Sequence, residues 1–140
     1  MKGRIGIVGA GASGLAAAIA AARAGAQVTV IEHMDKAGKK ILSTGNGRCN
    51  LTNRRMEAEC FRCGQKDFPM KVIGGFGLGE TLGFFEGLGI VIKGRNGCLY
   101  PYSDQAASVR DVLMNEAERL GITIHLSCRI ERIESGEGNG

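Results

Sequence analysis

Residues 9–14 of the chain, Gly-Ala-Gly-Ala-Ser-Gly, place three glycines in the spacing G-x-G-x-x-G. In this pattern the first glycine permits a tight turn from strand to helix, and the second lets a pyrophosphate approach the backbone. The third allows the helix to pack closely on a sheet. Free N–H groups at the start of that helix, together with its dipole, favour phosphate. The spacing predicts a dinucleotide site that includes Gly9, Gly11, Ala12, Ser13 and Gly14.

A glycine pattern alone is weak evidence, but the sequence around it agrees. A β-rich run over 4–8 precedes the glycines, a helix-forming run over 13–23 follows them, and a second β-rich run covers 27–31. Glu32 comes next, 18 residues beyond Gly14, where a carboxylate can accept hydrogen bonds from the adenosine ribose. The same carboxylate would repel the 2′-phosphate of NADP, so the site suits FAD or NAD.

The two predicted strands and the helix between them form a right-handed βαβ crossover. We expect the first strand to be buried, as strands of parallel sheets are. A stretch with little periodicity follows up to about Pro69, and the glycines over 74–79 suggest a hinge. The later predicted elements are a helix over 78–88, a strand over 90–92, a hairpin over 95–100, a helix capped by Ser103, and strands over 122–126 and 129–133. The order predicts an α/β fold with an insertion, ending in a linker or frayed tail over 136–140.

Two longer stretches resemble a flavoprotein family. They are GKKILSTGNGRCNLTN at 38–53 and GCLYPYSDQAASV at 97–109, and both resemble the signatures of bacterial NAD(P)/FAD-dependent oxidoreductases, the aminoacetone oxidase-like or bile-acid reductase-like flavoproteins. The resemblance implies a Rossmann-like domain with FAD as the cofactor and NAD(P)H as a candidate electron donor. It also implies that the loop after the second strand runs along FAD, with contacts from Lys40, Ser43, Gly45, Asn46, Arg48, Cys49 and Asn50.

The chain departs from that family in length. Members run to several hundred residues, whereas this chain has 140. We therefore expect an apparently truncated N-terminal portion of the FAD-binding domain, with the remainder of the enzyme absent. By itself such a portion should bind FAD weakly and oxidise NAD(P)H negligibly, because fewer contacts offset the cost of ordering the cofactor loop.

Charge and composition narrow the possible partners. The net charge is only +4, but residues 36–71 contain nine Lys or Arg against three Asp or Glu. Few aromatic residues and no binding module accompany these charges, so no nucleic-acid partner is expected. The apolar N-terminal stretch is too short and too broken by glycine to span a membrane. Five cysteines without a secretory context indicate reduced thiols and a cytoplasmic protein.

Several other signals are weak. Cys60 and Cys63 form a CxxC pair, but no second pair completes a zinc site, so no metal is expected. His33 and His125 have no evident triad partner and are expected to be strand-end and strand-face residues. The segment from Tyr100 to Tyr102 suggests packing, with flavin stacking as the alternative. No catalytic residue is identified, although Cys49 is notable for its position in the cofactor loop.

The sequence favours the FAD-binding portion of an oxidoreductase that passes hydride through the flavin to an unknown small-molecule substrate. Two alternatives stay open: a dinucleotide-binding module without chemistry of its own, and part of an NAD-dependent enzyme. The predicted organisation is a βαβ unit over 1–34, a cofactor-facing loop region over 35–70, and a helix, hairpin, helix and strands over 71–135. The oligomeric state is not predicted.

Overall fold

The computed structural model describes residues 3–65 and 67–134. The chain divides into two compact units, the first made of residues 1–39 and 114–140 and the second of residues 40–113. None of the helices in the described part is long and apolar enough to cross a membrane. The helices and strands of the described residues are β1 (Arg4–Val8), α1 (Ala12–Arg23), β2 (Gln27–Ile31), β3 (Thr52–Asn53), α2 (Phe68–Gly75), α3 (Leu78–Gly87), β4 (Ile92–Arg95), β5 (Cys98–Pro101), α4 (Ala106–Arg119) and β6 (Thr123–His125).

The first unit contains a parallel sheet in the order β1-β2-β6. The register places Arg4 opposite Gln27 and Val8 opposite Ile31, and on the other side of β2 it places Thr29 opposite Thr123. Helix α1 lies in the connection between β1 and β2, which is the arrangement that a crossover between parallel neighbours requires. The predicted βαβ unit and the α/β fold class are therefore confirmed.

Helix α1 forms because its sequence is rich in alanine, the best helix former. It begins one residue earlier than predicted, and the chain turns away at Gly25, whose φ of +93° favours glycine. Leu15 and Ile19 are fully buried on one face of the helix, and Val28 and Val30 of β2 are almost fully buried as well. These apolar side chains are the core of the first unit.

Strand β1 is not buried as predicted. Ile5 is 41% exposed and Val8 is 63% exposed. The reason is that β1 lies at the edge of the sheet, where it pairs with β2 alone among the described strands. An unpaired edge of this kind is a template for association with a further strand.

The end of the first unit also differs from the prediction. The predicted strand over 122–126 shortens to β6, and the predicted strand over 129–133 is wrong, because these residues form no strand. Ser127 takes a left-handed backbone conformation with φ of +53°, and its N–H donates to the carbonyl oxygen of Met34. This turn redirects the chain before a second strand can form. Of the predicted tail, residues 136–140 lie outside the described residues.

The second unit contains an antiparallel sheet in the order β3-β5-β4. Asn96 and Gly97 connect β4 to β5 with φ of +50° and +83°, the left-handed conformations of a two-residue hairpin turn. The predicted hairpin is confirmed. The strand predicted over 90–92 begins instead at Ile92 and continues into the hairpin.

Helix α2 was missed by the sequence analysis, whereas α3 was predicted to within one residue. Two glycines at the end of α2 weaken the helical signal there. The predicted hinge is instead the end of α2 followed by the start of α3, where the Gly77 N–H donates to Glu80 Oε2 at 2.9 Å. A glutamate side chain that reaches back to the N-cap N–H stabilises the first turn of a helix.

Helix α4 buries one apolar face, but it does not have the predicted cap. Val109 and Leu113 are almost fully buried, as are Ala106 and Ala117. The helix begins at Ala106, so Ser103 lies too early to be the N-cap residue. The hydroxyl of Ser103 instead accepts a hydrogen bond from the N–H of Gln105 at 3.3 Å.

A carboxylate with two arginines ties α4 to α1 within the first unit. Glu116 is only 8% exposed, and its Oε1 lies 2.8 Å from Arg23 Nη2, while its Oε2 lies 2.6 Å from Arg119 Nε. The hydrogen bonds from Arg119 and then from Arg23 lower the pKa of Glu116 from 4.5 to about 2. A carboxylate that is more acidic in the folded state stabilises that state whenever it is ionised.

Glu116→Gln should therefore lower the thermal midpoint at neutral pH, because it removes the charge that both arginines share. The carboxylate stabilises the fold above pH 4.5, and this contribution is lost as the pH falls towards about 2. Unfolding curves recorded across that range should show a smaller acid-induced loss for the variant than for the parent protein.

Glu118→Gln is the matched control, because Glu118 is exposed on the same helix. This control should keep the pH profile of the parent protein. Identical profiles for Glu116→Gln and the parent would show that the ion pairs contribute nothing to stability.

Candidate functional site

The glycine turn between β1 and α1 has the geometry expected of a phosphate cradle. Gly9 has φ of +95°, and its N–H donates to the carbonyl oxygen of Ile31 at 2.8 Å, which anchors the turn to β2. Gly11 is the N-cap residue of α1, and no side chain caps this end of the helix. The first N–H groups of a helix lack partners within it, so those of α1 are available to an anion.

Two of the glycines are required for different reasons. A Cβ on Gly14 would lie 1.9 Å from the carbonyl oxygen of Gly9, so only glycine lets α1 pack this closely on the turn. A Cβ on Gly11 would meet nothing within 4 Å. The packing of α1 on the turn therefore explains why residue 14 is glycine. At Gly11 the open space fits a ligand group that lies against the backbone.

Glu32 is held by two backbone donors and lies beside a histidine. Its Oε2 accepts from the N–H of Ala10 at 2.7 Å, and its Oε1 accepts from the N–H of Met34 at 2.8 Å and lies 2.9 Å from His33 Nδ1. The hydrogen bond from Met34 is the main cause of a lowered pKa, and the bond from Ala10 adds to it against the opposing effect of burial. The carboxylate is thus fixed, ionised and attached to the glycine turn.

A pocket of about 230 Å³ opens beside this carboxylate, at the carboxyl ends of the parallel strands. Ligands of open α/β sheets bind at that edge. Part of its lining was not predicted, because residues 129–133 were expected to form a strand. The pocket is lined by Val8, Gly9, Ile31, His33, Cys128, Arg129 and Ile130.

One signal in the sequence could have revealed the missed part of the pocket. The run over 122–126 was correctly predicted as a strand, and the residues after a parallel strand lie at the ligand edge of the sheet. Applied to β6, this rule selects Cys128 to Ile130. His33 is exposed, as predicted, but it also lines the pocket and contacts Glu32.

The second unit contains the other seven predicted site residues on one turn-rich loop. Gly45 and Asn46 have φ of +55° and +54°, and Cys49 has φ of +57°. A Cβ on Gly45 would lie 2.8 Å from the backbone nitrogen of Asn50, so this turn requires glycine. The loop is therefore a specifically folded segment, and its members are Lys40, Ser43, Gly45, Asn46, Arg48, Cys49 and Asn50.

The side chains of this loop differ in their surroundings. The guanidinium carbon of Arg48 lies 5.5 Å from the centre of the Tyr100 ring, within the range of a cation–π contact. The Ser43 hydroxyl donates to the carbonyl oxygen of Lys40 at 3.0 Å, which stabilises the start of the loop. Cys49 is 7% exposed, a packing environment that gives its thiol little access to a substrate.

The CxxC pair has no metal-site geometry in the described part of the chain. Cys60 and Cys63 are both exposed and both free. No group of three or more His, Cys, Asp or Glu side chains among the described residues could hold a metal ion.

The parallel sheet, the glycine turn at a helix N-terminus and the buried glutamate after β2 together define a Rossmann-like dinucleotide-binding domain. The chain belongs to the HI0933-like Rossmann domain family, whose model matches residues 4–139. This assignment confirms the family resemblance read from residues 38–53 and 97–109.

Two relatives show how the chain compares in length. It is 51% identical over 133 residues to the 3-dehydro-bile acid delta(4,6)-reductase of Clostridium scindens, covering 94% of this chain and 32% of that protein. It is 30% identical over 132 residues to the ribosomal RNA dihydrouridine synthase of Escherichia coli, covering 94% and 33%. The chain therefore spans about a third of the length of these curated relatives.

A solved structure supports the fold. The crystal structure of THI4 from Thermovibrio ammonificans matches with a TM-score of 0.56 at 16% identity, covering 89% of this chain and 38% of that one. At this identity the likeness concerns the fold alone.

Gly14→Ala should destabilise the protein even without a ligand, because the added methyl group would meet the Gly9 carbonyl oxygen at 1.9 Å. Overpacking against backbone costs about 1–3 kcal/mol or more. Gly11→Ala should cost far less, since its site is open. Chemical denaturation of the two ligand-free variants makes the comparison, and equal losses would contradict the packing role assigned to Gly14.

Proposed function

We propose that the first unit binds the adenosine and pyrophosphate of FAD. The observation that carries this proposal is the open space beside Gly11 at an uncapped helix N-terminus, directly next to the ionised Glu32. The pyrophosphate would lie over Gly9, Gly11 and the first turn of α1, formed by Ala12, Ser13 and Gly14. Helix N-termini bind phosphate in this way in dinucleotide-binding folds.

Glu32 would accept hydrogen bonds from the ribose, and the neighbouring pocket would take the adenine. The two backbone donors leave the carboxylate room for a ribose hydroxyl, because its two oxygens together offer about four acceptor positions. We infer from the family assignment that the loop over 40–50 contributes further cofactor contacts. Its folded turns expose Ser43, Asn46 and Asn50 to solvent, where they are accessible to a ligand.

We further propose that the whole protein reduces a carbon–carbon double bond. The names of both relatives, a delta(4,6)-reductase and a dihydrouridine synthase, describe the addition of hydrogen across such a bond. A bound flavin supplies hydride chemistry of this kind. NAD(P)H is the proposed electron donor, and a cytoplasmic location with reduced thiols fits that source of electrons.

A small molecule is the proposed substrate. The relative named for a bile acid is 51% identical to this chain, whereas the relative named for ribosomal RNA is 30% identical. Anaerobic assays of NAD(P)H oxidation by the whole protein would compare a steroid bearing a conjugated ketone with a ribosomal RNA fragment. Turnover of the RNA but not of the steroid would overturn the proposed substrate class.

Gly11→Asp should greatly reduce FAD binding while leaving the fold intact. The aspartate would place a side chain and a negative charge in the space proposed for the pyrophosphate, and that space is free of protein atoms. Titration with FAD, followed by flavin fluorescence, gives the affinity, and circular dichroism checks the fold. Gly3→Asp, in an open position at the other end of β1, is the control. Unchanged affinity of the Gly11 variant would rule out this pyrophosphate site.

Glu32→Ala should weaken FAD binding by about 1–3 kcal/mol, as expected for the loss of a hydrogen bond to a charged group. It should also destabilise the ligand-free protein, because the N–H groups of Ala10 and Met34 lose their acceptor. Glu32→Gln keeps an acceptor oxygen and should be less severe in both respects. A variant with reduced stability and unchanged FAD affinity would limit Glu32 to holding the glycine turn.

A further inference from the structure

The antiparallel sheet of the second unit has a charged face that is opposite the side on which Leu99 is buried. The register places Lys93 opposite Tyr100 and Arg95 opposite Cys98, so their side chains share one side of the sheet. Leu99 belongs to the other side, where it is 2% exposed. The charged face consists of Lys93, Arg95, Cys98 and Tyr100.

Further groups extend this face. Arg48 lies over the Tyr100 ring, and Lys93 Nζ lies 5.3 Å from the centre of the Tyr102 ring. Lys93 also pairs with the carboxylate of Asp104. Two cations are thus held beside two aromatic rings, a combination in which the rings orient the positive charges. Arg95 is a third cation on the same face of the sheet.

Asp104 is the carboxylate that meets these cations. Its pKa is lowered chiefly by the hydrogen bond from Lys93, and the charges of Arg48 and Arg95 lower it further, so both arginines lie close enough to act on it. Asp104 also has a left-handed backbone with φ of +54°. Strained backbone of this kind in a non-glycine residue is frequent at functional sites.

The charges on the face do not balance. One carboxylate faces three cations, and Lys93 alone of the three forms an ion pair with it among the described contacts. Among the described contacts Arg48 donates only through Nε, to the carbonyl oxygen of Gly45 at 3.4 Å, and Arg95 is exposed on the same face. Both guanidinium groups therefore keep donors for a ligand. Guanidinium groups bind carboxylate and phosphate through paired hydrogen bonds, which a compact ammonium group cannot form.

We propose that Arg48 and Arg95, with Lys93 and Tyr100, form a binding site for a carboxylate or phosphate group of a ligand. Asp104 is paired with Lys93 in this site and therefore competes with the ligand for that cation. The ligand group comes either from the substrate or from the cofactor, and both sources present the same anionic oxygens.

Phosphate and acetate are the probes, each titrated into the protein with amide chemical shifts as the readout. Shifts around Arg95 and Tyr100 should saturate, and sodium chloride at the same ionic strength should not reproduce them, since it only screens charge. Arg95→Gln should weaken binding at least about tenfold, as for a lost charged hydrogen bond. Asp104→Asn should strengthen binding, because it removes the internal competitor.

Arg62→Gln is the matched control, since it removes the same charge from an exposed position outside this face. It should leave phosphate affinity unchanged. Absence of saturation in the parent protein, or equal affinities for Arg95→Gln and Arg62→Gln, would overturn the proposal.

Repeating the titration with excess FAD identifies the source of the ligand group. Phosphate binding that FAD abolishes assigns the site to the cofactor. Phosphate binding that persists assigns it to a second ligand, the substrate. The competition is recorded at an FAD concentration that saturates the flavin fluorescence signal, so that persistent phosphate binding is not caused by unbound FAD. Gly11→Asp tests the glycine turn separately.

Discussion

The first unit depends on the residue that follows β2. Glu32 uses its side chain to hold the glycine turn through Ala10, and its backbone N–H donates to the carbonyl oxygen of His125 at the end of β6. Its own carbonyl oxygen accepts from the N–H of Cys128. One residue therefore joins the turn after β1, the end of β2 and the segment after β6. The N–H groups of Met34 and Ala10 lower the pKa of this buried carboxylate, so the same contacts that build the edge of the sheet also favour its negative charge.

This arrangement explains why part of the site could be predicted from sequence. Gly9, Gly14 and Glu32 follow from local rules, because each answers a steric or electrostatic requirement within a βαβ unit. Cys128 and Arg129 belong to the same pocket through β6, which is distant in sequence and was expected to be followed by another strand. The left-handed turn at Ser127 redirects the chain, so that no further strand follows β6 among the described residues. Nothing in the residue types there indicates a preference for a left-handed conformation.

The exposure of β1 could not be predicted from its local sequence, for a related reason. Ile5 and Val8 have the composition of a central strand, yet the position of a strand within a sheet depends on which partners lie beside it. Similarly, the alternation of Lys93 and Arg95 is too short to indicate a charged face by itself. Only the pairing with β5 shows that both side chains share a side with Tyr100. Secondary structure was predictable at α1 and α3, but the surfaces formed by paired strands required the register.

The two relatives are named for very different molecules, a bile acid and ribosomal RNA, although each matches almost the whole of this chain. The same kind of domain can take part in both reactions if its binding site suits what the two reactions have in common. The cradle at α1 and the fixed carboxylate of Glu32 suit a dinucleotide, and neither is shaped for a steroid or a uracil ring. The charged face around Tyr100 is different in kind, because its arginines would accept any ligand that presents anionic oxygens. On these proposals the first site binds the dinucleotide that the two reactions share, whereas the second binds whichever ligand presents the anionic oxygens.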